Sequence, residues 1–338
     1  MNTTTFLRFL VLFGVILGIV SCGSDTQVTD SPTGGVVIDP SIQGINEKIA
    51  QNPNDASLYA TRAGVYYEQE AYDEAITDLN KAISLDSGQV IFYHVLADVY
   101  LDYYKSRLAL NVLREATVKF PGDIPTLLKL TEFQLILRQH QGALITTNEI
   151  EKLQPLNGEM FFMRGLIRLD MGDTTKAINN FQSAVENDPD IIEGWVNLGR
   201  LWSDKNPAFA ARFFDNALRR DSTNIEAIHA KAFYLSNYRN DLAGSLALYR
   251  RIIGIDSHYE DAYYNSGLLY MDMDSIQKAY NEFNLAIQMN PGFTAAYFYR
   301  GVSSEMMGNI EAAKTDYQQT LNLEPNFERA QEALNALN

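Results

Sequence analysis

Apolar and polar positions divide the chain into three stretches. From Phe9 to Val20 twelve residues carry no polar side chain, preceded by one charge at Arg8. As a helix this run would rise ~18 Å, short of the ~30 Å hydrocarbon core, so it predicts the apolar region of a signal peptide and not a membrane span. Gly23 to Asp39 (GSDTQVTDSPTGGVVID) shows no helical apolar period and predicts a flexible linker, reaching ~20–25 Å r.m.s.. Beyond it the helical period takes over. Ser41 to Gln51 holds Ile42, Ile45 and Ile49 on one face. At the other end Ala330, Ala333, Leu334 and Leu337 fall at i, i+3, i+4 and i+7, with Gln331, Glu332 and Asn335 outward. Both segments predict helices that finish an array by covering its ends.

Between these ends one pattern recurs. Pro53, Pro121, Pro155, Pro189, Pro291 and Pro325 are separated by 68, 34, 34, 102 and 34 residues, all multiples of 34, and they are six of ten prolines. Trp195-x2-Leu198-Gly199-x2-Trp202 opens one unit, and Tyr59, Tyr93, Phe161, Tyr263 and Tyr297 start the same motif elsewhere. Ala177-x3-Phe181-x2-Ala184 and Ala279-x3-Phe283-x2-Ala286 repeat in the second half of the unit. Eight units follow: 56–89, 90–123, 124–157, 158–191, 192–224, 225–259, 260–293 and 294–327, the fifth one residue short and the sixth one long. Units 3 and 6 are the most degenerate, with Leu127, Thr131 and Thr147 in the one and Ser245 and Ile252 in the other.

This period and these residues resemble the tetratricopeptide repeat (TPR), a helix–turn–helix unit of 34 residues. The resemblance implies an all-α fold: a right-handed superhelix (α-solenoid) of about eight repeats with N- and C-terminal capping helices over 41–338. Numbering places from the first residue of each unit, the small residue at place 8 (Ala63, Ala97, Gly165, Gly199, Ala232, Gly267, Gly301) lets two helices approach. The aromatic at place 4 is expected to fill the gap to the neighbouring unit, with places 4, 8, 20, 24 and 27 buried. The terminal Pro ends the second helix.

The only cysteine, Cys22, follows Ile19-Val20-Ser21. This resembles the lipobox of bacterial lipoproteins, which implies cleavage of 1–21 and acylation of Cys22, with 22–40 as a tether to the folded body. Several acyl chains on one residue make a durable anchor, where a single chain binds only marginally. Gly23 is not the Asp that retains some lipoproteins at the inner membrane, so the expected location is a bacterial cell envelope, at the outer membrane. A single cysteine also excludes a disulfide framework, a cysteine-rich zinc site and a redox pair.

With 27 Lys and Arg against 42 Asp and Glu the net charge is −15, and −16 once Arg8 is removed. That argues against nucleic acid, whose phosphates need clustered cations. No P-loop, G-x-G-x-x-G, H-E-x-x-H, G-x-S-x-G or Cys-x2-Cys is present, and His94, His140, His229 and His258 lie far apart. Asp272-x-Asp274 lacks the Gly and closing Glu of an EF-hand. Asp173-Thr174-Thr175, Asp221-Ser222-Thr223 and Asp274-Ser275-Ile276 match a short O-glycosylation motif and equally read as caps or turns. The expectation is a protein without enzymatic activity, metal or cofactor.

By the family pattern, places 5, 9 and 12 face the concave side, with places 2 and 13 beside them. Candidate partner-binding residues there are His94, Phe162, Leu166, Phe233, Tyr264, Leu268 and Phe298, bordered by Glu193, Glu226 and Asp261. An apolar, aromatic floor with acidic borders suits a protein or peptide with a basic or amphipathic docking segment. The Lys and Asn of the carboxylate-clamp type are missing, with Ala60, His94 and Leu128 at place 5 and Gly64 and Asp98 at place 9. The same apolar residues also suit self-contact of the superhelix or a second copy of the chain. A lipid-anchored envelope scaffold is therefore the leading expectation. A carbohydrate-binding or glycan-processing protein using aromatic platforms flanked by acids is the alternative.

Overall fold

The computed structural model describes residues 40–337. The signal segment, Cys22 and the linker to Asp39 lie outside the described residues. Among the described residues there are 18 α-helices and no strand. A lone α1 (Pro40–Gln51) is followed by pairs α2 (Ala56–Glu68) and α3 (Tyr72–Leu85), α4 (Val90–Asp102) and α5 (Ser106–Lys119), α6 (Ile124–Ile136) and α7 (His140–Leu153), and α8 (Gly158–Asp170) and α9 (Thr174–Asn187). Then come α10 (Ile192–Ser203) and α11 (Pro207–Arg220), α12 (Ile225–Arg239) and α13 (Leu242–Ile255), α14 (Glu260–Asp272) and α15 (Ile276–Met289), α16 (Thr294–Met306) and α17 (Ile310–Leu323), and α18 (Glu328–Ala336). The principal contacts join the two helices of a pair, a second helix to the next first helix, and neighbouring first helices. That nearest-neighbour pattern defines an α-solenoid.

Local chemistry sets the helix boundaries. All six phased prolines sit two residues beyond the last residue of a helix, at the ends of α1, α5, α7, α9, α15 and α17. Where Ser87, Ser222 or Ser257 replaces Pro, the preceding aspartate holds the turn, as Asp188 and Asn290 also do beside Pro189 and Pro291. Asp86, Asp221 and Asp256 accept from the N–H groups of Gly88, Thr223 and His258 at 2.9, 2.8 and 2.9 Å. First helices start on Asp55, Asp123, Asn157 and Asn224, whose side chains accept from early backbone N–H groups at 2.7–2.9 Å. Asn206 caps α11 ahead of Pro207 in the same way.

In seven of the eight pairs the turn holds a left-handed residue. Glu70, Tyr104, Arg138, Gly172, Asn240, Asp274 and Gly308 have φ of 58, 57, 53, 78, 52, 53 and 79°. The fifth unit has none, and this is where its missing residue falls. Asp204 there is right-handed at φ −76°, and Asn206 starts the second helix directly. The extra residue of the sixth unit lengthens α12 to Arg239.

Inside a pair, places 8 and 24 face each other and their sizes compensate. A Cβ added at Gly165, Gly199, Gly267 or Gly301 would lie 2.5, 2.6, 2.5 or 2.8 Å from the ring of Phe181, Phe214, Phe283 or Tyr317. Two of the three units with alanine there carry a smaller partner, Ala63 with Leu79 and Ala97 with Leu113, all buried. Unit 3 pairs Thr131 with Thr147, and unit 6 sets Ala232 near Tyr249 in one buried cluster. Places 8, 20, 24 and 27 are buried in every unit.

Place 4 is buried in three units, at Tyr93, Leu127 and Ile228, and departs from expectation in the other five. Tyr59, Phe161, Trp195, Tyr263 and Tyr297 are only half-buried. A cause is visible in three of them. The polar tip reaches back to the preceding turn, as Tyr59 Oη, Trp195 Nε1 and Tyr263 Oη donate to the carbonyls of Pro53, Pro189 and Ser257 at 3.0, 2.9 and 3.1 Å. A ring that satisfies an exposed carbonyl must leave one edge in water.

A cationic side chain at place 7 links successive units. Arg62, Arg164 and Arg300 donate to Asn46, Asn148 and Asn284 of the preceding second helix at 2.6, 2.7 and 2.7 Å. Lys231 meets Asp215 at 2.7 Å in the equivalent position. Asn46 belongs to α1, so α1 occupies the position of a second helix and covers the first pair, with Ile42 buried. At the other end Ala330 of α18 is buried in a cluster with Phe298, Ala313 and Tyr317.

Candidate partner-binding face

The first helices stand side by side, so residues at equal places form rows along the array. At place 5 most side chains are already engaged. His94 Nε2 lies 2.7 Å from Thr126 Oγ1, whose proton goes to Asp123 Oδ2 at 2.5 Å. His94 therefore donates through Nε2 and links units 2 and 3. Burial, aided by Lys129, holds its pKa below the ordinary imidazole value, so the ring is neutral at pH 7.

Phe162 is 7% and Phe298 3% exposed. Their rings pack 5.8 Å from Phe181 and 5.7 Å from Tyr317. Tyr264 is half-buried between Phe293 and Tyr299, at 4.9 and 5.9 Å, and burial pushes its phenol up to about 12. Leu166 and Leu268 are half-buried against the same clusters. The four aromatic positions therefore form no continuous open stripe. Phe162 and Phe298 are core rings, Tyr264 shows an edge, and Phe233 at 49% exposure is the ring presented to solvent.

The acidic border is more regular. Glu193, Glu226 and Asp261 hold place 2 of three successive units and all three are half-buried. Glu226 meets Arg200 Nη1 at 3.2 Å. Burial raises the carboxyls of Glu226 and Asp261 above their ordinary values, with Glu193 and Glu260 adding repulsion, respectively. Beside them His229 lies 3.3 Å from the hydroxyl of Tyr259, its own pKa lowered by burial and by Arg200.

A second charged group lies nearer the N-terminus, and the motif pattern gave no sign of Glu132 or Lys129. Asp98 and Glu132 occupy place 9 of adjacent units, and Lys129 Nζ reaches Asp98 Oδ1 at 2.7 Å. Glu132 is half-buried, and burial pushes it up to about 7 although Lys129 opposes the shift. Tyr67 donates to Asp102 close by. The signal was acid at the same place in consecutive units. Among the described residues no group of three or more His, Cys, Asp or Glu is arranged to hold a metal ion. No helix among them is long and apolar enough to cross a membrane.

Stacked helix pairs with a row-forming inner face define a repeat solenoid. The chain carries tetratricopeptide repeats: family profiles described as TPR repeat and tetratricopeptide repeat match 63–102, 162–225, 260–293 and 295–326. Human Tetratricopeptide repeat protein 6 is 25% identical over 277 residues, 78% of this chain and 51% of that protein. The Schizosaccharomyces pombe General transcriptional corepressor ssn6 is 26% identical over 145 residues, 41% of this chain and 13% of its own. The chain thus spans about half or less of the length of these relatives. Among solved structures, the APC/C hetero-tetramer Cut9–Hcn1 superposes with a TM-score of 0.55 at 11% identity, over 88% of this chain and 58% of that one. That likeness is one of fold alone.

Proposed function

We propose that the chain is a lipid-anchored scaffold of a bacterial envelope, tethered through Cys22 and docking a basic or amphipathic segment of an envelope protein on its first-helix face. Tetratricopeptide repeats suggest a protein-interaction scaffold. The observation that carries the choice of partner is the row Glu193, Glu226 and Asp261. Three half-buried carboxyls repeat once per unit with one cation, Arg200, bound among them. Partly desolvated acids on a repeating row stabilise Lys or Arg groups presented at matching spacing, and they steer a basic segment in before contact. Phe233 supplies an exposed ring as anchor.

The test is photo-crosslinking in intact cells from two positions of the full chain. A crosslinker at Phe233 should capture one discrete envelope protein through a Lys- or Arg-rich segment. A crosslinker at Val118, which is 82% exposed on α5, should not. Equal capture from both positions would refute the choice of face.

A further inference from the structure

The repeats act as internal controls for one another, and one unit breaks its own rule. In the first and eighth units the arginine at place 7 grips an aspartate 16 residues on. Arg62 holds Asp78 through Nε and Nη2, both at 2.6 Å, and Arg300 holds Asp316 at 2.9 and 2.6 Å. The fourth unit keeps the arginine, Arg164, but has Asn180 where the aspartate should stand. Asn180 turns to its own helix, donating to the Lys176 carbonyl at 2.6 Å. Arg164 turns back to the preceding unit, with Nε to Thr147 at 3.0 Å and Nη2 to Glu151 at 2.7 Å.

Place 11 changes in the same unit. Four units have an aromatic ring there: Tyr66, Tyr100, Trp202 and Tyr270. The fourth unit has Arg168, half-buried, whose side chain makes no hydrogen bond or ion pair among the described residues. A cleft of about 400 Å³ lies beside it between α7, α8 and α9. It is lined by Arg164, Arg168 and Lys176 with the carboxamides of Gln141, Asn148 and Asn180, and by no acid. The nearby acids are occupied: Glu151 by Arg164, and Asp173 by Lys176 at 2.8 Å, although Asp173 also senses the charge of Arg168.

We infer that this cleft binds a carboxylate from outside the chain, held by Arg168 and Lys176 beside Arg164, whose Nε and Nη2 are already engaged by Thr147, Asn148 and Glu151. The guanidinium of Arg164 is held in place by its inter-unit contacts, and Arg168 and Lys176 add two further cations. Planar guanidinium groups match a carboxylate bidentately. The carboxamides accept and donate to neighbouring hydroxyl, amide or acid groups of the ligand. A small organic acid fits better than an acidic protein segment. The cleft has the size of a small-molecule site, on a scale of roughly 300–1,000 Å³, and a chain of net charge −15 repels an acidic protein at long range.

The test is titration calorimetry of the purified full chain with glutarate, at ionic strength fixed by sodium chloride, with melting measured in parallel. Wild type should give saturable one-to-one heat. Arg168→Gln should weaken binding by about tenfold or more, the usual worth of a charge-assisted hydrogen bond. Asn180→Asp should rebuild the internal pair, melt higher than wild type without ligand, and lose the glutarate response. No saturable heat in wild type, or equal affinity in all three proteins, would overturn the assignment. So would binding of a glutamate-rich peptide by a protein that ignores glutarate.

Discussion

The complementarity of places 8 and 24 makes a quantitative prediction at Gly267. An alanine there would put its Cβ 2.5 Å from Phe283 Cε1 and 2.8 Å from Cδ1 and Cζ. The ring cannot yield easily, because Phe283 is fully buried with Tyr264 and Tyr299 at 5.9 and 5.8 Å. Overpacking of this kind costs ~1–3 kcal/mol, and the short contact places Gly267→Ala near ~2–3 kcal/mol on that scale. Phe283→Leu alone leaves a space beside the glycine and should cost ~1–2 kcal/mol. Together they recreate the Ala–Leu pairing of Ala63 with Leu79, so the double variant should be more stable than the sum of the single effects by at least ~1 kcal/mol. Because an array loses stability unit by unit, the readout is hydrogen exchange of α14 and α15 amides alongside urea denaturation. Additivity within ~0.5 kcal/mol would refute the reasoning, since it would mean the two positions do not share one space.

Glu132→Gln should stabilise the protein at pH 8 and do nothing at pH 4. The folded carboxyl is raised from its ordinary 4.5 to about 7, so its ionisation opposes folding increasingly as pH rises from about 4.5 to 7. At ~1.36 kcal/mol per decade the shift is worth at most ~3 kcal/mol, and on the order of 2 after allowing for residual hydration; urea denaturation at the two pH values checks it. Tyr104→Gly should stabilise by roughly 1 kcal/mol, because a left-handed backbone is strained for tyrosine and relaxed for glycine. Its side chain is 94% exposed, so little packing is lost, and an unchanged or lower melting temperature would count against this. Cys22→Ser should abolish acylation and release the protein from membranes, and a variant that still fractionates with membranes at unchanged mature mass would contradict the anchor.

The period of the six phased prolines exposed the repeat, because each of those prolines follows the end of a helix. Phe162 and Phe298 show where periodicity stops informing. They share a row with His94 and Tyr264, yet burial at that row depends on the partner across the pair and on the next unit. Phe162 lies against Phe181, and Phe298 lies between Tyr317 and the cap residue Phe327, at 5.7 and 5.1 Å. Place 4 misled for a related reason, since hydropathy does not register that Tyr59 and Trp195 spend a polar atom on a turn carbonyl. The cleft beside Arg168 was legible only by comparing units with one another. Arg168 stands where four other units carry a ring, and no motif records such an exchange.

The most direct measurement of the central claim is the affinity of the crosslinked partner for two sets of variants with unchanged helicity. Phe233→Ala combined with Glu226→Gln and Asp261→Asn removes the exposed ring and two of the row of acids. Arg107→Ala combined with Val118→Ala changes exposed residues of a second helix. The first set should lose affinity by about a hundredfold, with the wild-type association rate falling as salt is raised, while the second set binds as wild type does. Equal affinity of both sets would contradict the claim that the first-helix face is where this scaffold binds.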